Sequence, residues 1–178
     1  MELQRKDGAR FALIADDGRF PNSRLPLVVC PGALSGFAGD LAAEFERVFA
    51  ANGWPPAWRS GIFGYHHYHS TAHEGLGISR GFIVVLLGGD EGLSVRAEAG
   101  DCIVIPAGVA HTRIEASTDL LIVGAYPKGQ SPDMLYGAPG ERPAADRNIA
   151  AVPLPSLDPV AGKDGPLVRL WRSAPAGR

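Results

Sequence analysis

Four of the chain's five histidines fall within eight residues, at His66, His67, His69 and His73; the fifth is His111. A lone histidine asks for no chemistry, but this clustering does. Side chains alternate between faces along a strand. If GYHHYHSTAHE is a strand running into a turn, His67 and His69 share one face, and His66 and Tyr68 the other. Two imidazoles on one side of a strand can converge on a single metal ion. Glu74 follows after a short connection, and its carboxylate can complete a three-ligand corner. A fourth ligand needs a strand brought alongside by the fold. His111, just after the turn PAG, is the one histidine outside the cluster. Imidazole and carboxylate together suit Mn, Fe, Co, Ni, Cu or Zn. Cys30 and Cys102 form no closely spaced pair, so a structural zinc site of the cysteine type is excluded. Both lie in apolar runs and read as buried small hydrophobes.

The elements that must hold these residues are mostly short strands. From Gly61 to Tyr126 the runs IFGYHHYH, GLGIS, FIVVLL, LSVRAE, CIVIP, TRIEA and LLIVGAY are separated by GGDEG, AGD, PAG and STD. Closely spaced short runs with this punctuation predict an antiparallel sandwich or barrel. Upstream, DLAAEFERVFAANGW reads as the one clear helix. Asp40 is its N-cap, Leu41, Phe45, Val48 and Phe49 its apolar stripe, and Asn52-Gly53 its stop. Residues 1–60 are then an extended arm plus this helix, 61–127 the barrel core, and 128–178 a Pro/Gly-rich arm of extended segments anchored by Trp171. The whole makes a single domain.

Two stretches carry a resemblance to a known family. Gly61–Gly81 matches the first motif of the cupins, G-x5-H-x-H-x4-E-x6-G, at Gly61, His67, His69, Glu74 and Gly81. Gly100–His111 matches the second, G-x5-P-x-G-x2-H, at Gly100, Pro106, Gly108 and His111. Glu115 stands where that pattern has an asparagine, a position that is not a metal ligand. The flanks NGWPPAWR and GAYPKGQ are similar to the small bacterial YjlB-type cupins. The resemblance implies an all-β fold of jelly-roll type, the cupin double-stranded β-helix. It implies one divalent transition metal (Fe, Mn, Ni, Zn or Cu) held by His67, His69, Glu74 and His111. It also implies a homodimer, in which the N-terminal arm can pair with an exposed sheet edge.

Other residues are candidates for contacts with a substrate or with the ligands. If the strand continues past His111, then Arg113 and Glu115 share its inward face. Arg113 there either holds a substrate carboxylate in two parallel hydrogen bonds or pairs with Glu115. Alternation turns His66 away from the metal, into a structural or hydrogen-bonding role. His73, beside Glu74 in a turn, is either a surface residue or a substrate contact. Tyr126 can reach the barrel mouth. The loop AYPKGQSPDMLYG reads as a connection rather than a lid.

Composition narrows the function further. The 178 residues carry 17 basic and 19 acidic side chains, a formal charge of −2, so there is no basic excess for nucleic acid. No apolar run approaches the roughly 18 residues of a membrane span, and the polar start predicts a cytoplasmic protein without a secretory signal. The expected ligand is a small molecule. A metal-dependent enzyme of dioxygenase, decarboxylase or isomerase type acting on a small polar organic substrate fits, as does a non-catalytic small-molecule sensor or metal-binding module. Fold alone does not choose between them.

Overall fold

The computed structural model describes residues 2–174. In chain order the elements are β1 (Gln4–Lys6), β2 (Ala9–Ala12), β3 (Leu27–Cys30), α1 (Leu41–Ala51), β4 (Pro56–Ser60), β5 (Glu74–Arg80) and β6 (Phe82–Leu87). These are followed by β7 (Leu93–Glu98), β8 (Cys102–Ile105), β9 (His111–Ala116), β10 (Leu121–Ala125), α2 (Ala144–Ala151) and α3 (Pro166–Arg172). The strands form two antiparallel sheets, one ordered β1-β2-β3-β8-β5-β10-β4 and one ordered β7-β6-β9.

The two sheets enclose a core in which Leu27, Val29, Leu76, Ile103 and Ile122 of the larger meet Ile83, Val85 and Val95 of the smaller. The larger sheet is covered on its other face as well. There Val28, Val104 and Val123 pack with Phe45 and Phe49 of α1 and with Leu167 and Trp171 of α3. Burial on both faces explains why LVVC and CIVI are continuous apolar runs without alternation. In β7 buried and exposed residues alternate strictly, because the outer face of the small sheet is open to water.

Helix α1 begins where Asp40 Oδ1 accepts the backbone N–H groups of Ala42 and Ala43. Phe45 and Phe49 are fully buried, each ring contributing roughly 1.5–3 kcal/mol on leaving water. The approach is close: a Cβ on Gly77 of β5 would sit 2.5 Å from the Phe45 ring, so the strand carries a glycine there.

The all-β jelly roll of cupin type stands, with two differences in its flanks. The C-terminal segment is not wholly extended, since α2 and α3 lie within it. Pro166 supplies the preset φ of a first helical residue, and buried Asp158 accepts the Leu167 N–H with Oδ2. Trp171 anchors the segment by donating Nε1–H to the Pro26 carbonyl at 2.8 Å. The N-terminal segment is likewise part of the sheet, with β2 paired to β3 and β3 to β8. In that last pair Cys30 and Cys102 are register partners, both free thiols raised by burial. Among the described residues no helix is long and apolar enough to cross a membrane.

Candidate metal centre

The segment 61–73 is irregular rather than a full strand. It is held by isolated bridges that pair His67 with His111 and Tyr68 with Leu135. His67 and His111 exchange backbone hydrogen bonds, His111 N–H to His67 O at 2.9 Å and His67 N–H to His111 O at 3.2 Å. Gly108 shapes the turn that brings His111 there. Its φ of +95° and the Asn22 carbonyl, 2.2 Å from where a Cβ would stand, leave room for glycine alone. Asn22 braces the same turn. Its side chain accepts from Ala110 N and donates to the carbonyls of Ala15 and Gly88.

One ring nitrogen from each of His67, His69 and His111 lies within 4.8 Å of the other two, and all three side chains are buried. Their orientation follows from the backbone. Nδ1 of His67 meets the Tyr65 carbonyl at 3.2 Å, that of His69 the Asp133 carbonyl at 2.5 Å, and that of His111 the Val109 carbonyl at 3.1 Å. A carbonyl only accepts, so in the neutral tautomer of each ring Nδ1 carries the proton and Nε2 is the nitrogen left to a metal. Glu74 enters from the start of β5, with Oε2 at 3.6 Å from His69 Nε2 and 3.4 Å from His111 Nε2. Its other oxygen accepts the Tyr126 hydroxyl at 2.7 Å, and Tyr126 in turn accepts the Trp58 indole N–H at 3.0 Å.

The electrostatics suit a cation. Burial pushes His67 down to about 3, and the neighbouring imidazoles push the same way, so it stays neutral. Burial also pushes His69 down, but Glu74 and the Asp133 carbonyl more than offset this and hold it above its ordinary value. Glu74 is fully buried, which on its own would raise its carboxyl. The facing imidazoles of His111 and His69 outweigh that and keep it ionised. Burial and the adjacent carboxylate raise the Tyr126 hydroxyl, which therefore remains a donor. Three imidazoles and one carboxylate facing one point fit a divalent transition ion.

The remaining sequence candidates fall outside this cluster. His66 turns to the opposite side, where Nε2 meets Asp90 at 3.1 Å and the ring packs on Phe20. His73 is buried rather than at the surface. Its Nδ1 accepts the Ala107 N–H at 2.9 Å and its ring lies on Trp171. Arg113 and Glu115, expected on the inward face, are both exposed. A bulge accounts for Glu115: Val85 pairs with Arg113 but Val84 pairs with Glu115, so Ile114 is an extra residue and the alternation slips beyond it. Arg113 stands before the bulge, opposite Val85, and its long side chain is nonetheless exposed. Tyr126 does reach the site.

Sequence reading missed Trp58, Phe63, Asp133 and Met134. Trp58, Phe63 and Met134 line a cavity of about 290 Å³ over the histidines. Asp133 grips Ser70 through both carboxylate oxygens and lends its own carbonyl to His69. The loop expected as a plain connection thus forms one wall of the site.

No family model matches the chain. The protein YjlB of Bacillus subtilis strain 168, described as uncharacterized, is 42% identical over 159 residues, which is 88% of this chain and 92% of YjlB. A DUF861 family protein from Thermotoga maritima is 19% identical, covering 48% of this chain and 92% of that one, with a TM-score of 0.32. Oxalate decarboxylase of Bacillus subtilis is 17% identical over 76% of this chain and 30% of that one, with a TM-score of 0.34. Streptomyces albus HEPD, solved with 2-hydroxyethylphosphonate and Fe(II), is 14% identical over 90% of this chain and 28% of that one, with a TM-score of 0.30. Likenesses this remote bear on no activity.

Proposed function

The chain belongs to the YjlB family of small cupin-type proteins, and from its histidine cluster we propose a metal-dependent enzyme acting on a small organic molecule. One divalent transition ion is held by His67, His69, His111 and Glu74. The observation that carries this reading is the triple clamp on Nδ1. Three separate carbonyls fix three imidazoles with their other nitrogens facing one point. A buried group of histidines that served only packing would need no such convergence.

A bound ion of this kind supplies Lewis acidity, and redox chemistry where the metal allows it. The chain's own residues supply the rest. Tyr126 holds a proton at its hydroxyl and orients Glu74 through it. Trp58 fixes Tyr126 from behind. Phe63 and Met134 give the cavity apolar walls. Oxidation, decarboxylation and isomerisation all remain within reach of such a site.

The test is a panel of small oxygen-bearing compounds offered to metal-loaded wild type and to the His69→Ala variant, with product formation and oxygen uptake followed. Turnover by the wild type that is lost in the variant supports the enzyme. Thermal stabilisation by a compound, without turnover of any, would overturn it in favour of a binding module.

A further inference from the structure

The walls of the cavity restrict what can enter it. Resting on the metal site proposed above, we infer that its ligand is a neutral or singly anionic molecule with an apolar body about the size of one ring, and that Phe63 and Met134 select it.

Three observations point this way. The first is charge. Among the described residues the cavity is lined by the three histidines, Glu74 and Tyr126 as its only ionisable groups, so no cationic side chain faces it. A divalent ion against one carboxylate leaves a single net positive charge. One negative charge on the ligand balances that, whereas a second would lie unpaired in a buried place. Arg113, the guanidinium expected to hold a carboxylate, is exposed and outside the wall.

The second is surface. Trp58, Ile62, Phe63 and Met134 line the space beyond the ligating groups, and Ser60 and Tyr126 add hydroxyls. A site for a small polar diacid would need donors in place of these. The third is the mouth. Phe63 and Tyr65 stack at 4.9 Å with their planes 13° apart, and Tyr136 stands 6.0 Å from Tyr65. These rings are about half exposed (Phe63 48%, Tyr65 48%, Tyr136 47%), and Met134 is 39% exposed. Apolar side chains left in water around a concave site form an entry surface for an apolar body. The volume of about 290 Å³ sets the size. A dry cavity of roughly 150 Å³ already takes a benzene ring, so one ring and its metal-binding oxygens fill this space.

Protein first shown to be metal-replete by elemental analysis is titrated calorimetrically with benzohydroxamate, acetohydroxamate and oxalate. The two hydroxamates present the same oxygens and differ only in the ring. Benzohydroxamate is expected to bind roughly tenfold or more tighter than acetohydroxamate, the order set by taking one ring out of water, and oxalate more weakly than either. Phe63→Ala should shrink the preference for the ring while leaving metal content unchanged, and Met134→Ala is the second variant should the first not fold. Tightest binding of oxalate, or equal binding of the two hydroxamates, by metal-replete protein overturns the inference and leaves the metal site standing. Failure to load metal at all sinks the site and the inference together, and the metal analysis records it before any ligand is added.

Discussion

His67 and His111, 44 positions apart in the chain, exchange both of their backbone hydrogen bonds, and their rings lie 4.1 Å apart. The bond is made by main chain, so it persists whatever side chain either position carries. Two of the ligating positions are therefore set by the fold before any ion arrives. His67→Ala and His111→Ala should keep a cooperative thermal unfolding transition in the metal-free state. Each should nonetheless lose metal affinity by more than the about 10–100-fold that removal of an outer partner costs. A chelator competition on each variant measures this.

Tyr126→Phe removes the donor that orients Glu74 and keeps the ring. Metal affinity should fall by about 10–100-fold, the range for partners that orient a ligand. The same competition assay checks it. An unchanged affinity would show that Glu74 is held by its buried surroundings alone.

Acid should destabilise the metal-free protein before it reaches the range in which carboxylates titrate. Burial lowers both His67 and His73 from 6.5 to about 3. Between those values the unfolded chain binds protons that the native state refuses, so stability falls as pH falls. The slope is about 1.4 kcal/mol per pH unit for each histidine. His73 has a plain structural reason, since its Nδ1 accepts the Ala107 N–H and a proton there would break that bond. His69, held above its ordinary value, works the other way: the stability it contributes is present at low pH and lost as pH rises. Urea unfolding of metal-free protein between pH 7.5 and 4.5 should show the net decline. His73→Gln should reduce its steepness.

Asn22→Ala should cost about 2–4 kcal/mol, because it deletes three hydrogen bonds and leaves buried backbone groups unpaired. Asn22 has a φ of +49°, a conformation that asparagine tolerates better than alanine. The loss should appear in the denaturation midpoint, with metal affinity weakened less than in any ligand variant.

Much of this arrangement was legible in the sequence. Alternation put His67 and His69 on one face, although 61–73 is held only by isolated bridges, and the turn PAG was visible just before His111. What failed did so for local physical reasons. One inserted residue in β9, Ile114, defeats strict alternation beyond it, so Glu115 turns outward, while Arg113 is exposed although it pairs with Val85. Helix α3 was masked by its prolines, although Pro166 followed by Leu167, Leu170 and Trp171 is a helix start with an apolar face. The contribution of Asp133 to His69 left no trace at all, because a backbone carbonyl is common to every residue and only folding brings this one to Nδ1.

Elemental analysis shows whether His67, His69, His111 and Glu74 hold one divalent ion. Tag-free wild type and His69→Ala are expressed side by side in metal-replete medium and analysed after gel filtration. Close to one equivalent of a transition metal is expected in the wild type and essentially none in the variant. A wild type without metal, or a variant carrying as much as the wild type, would contradict this site.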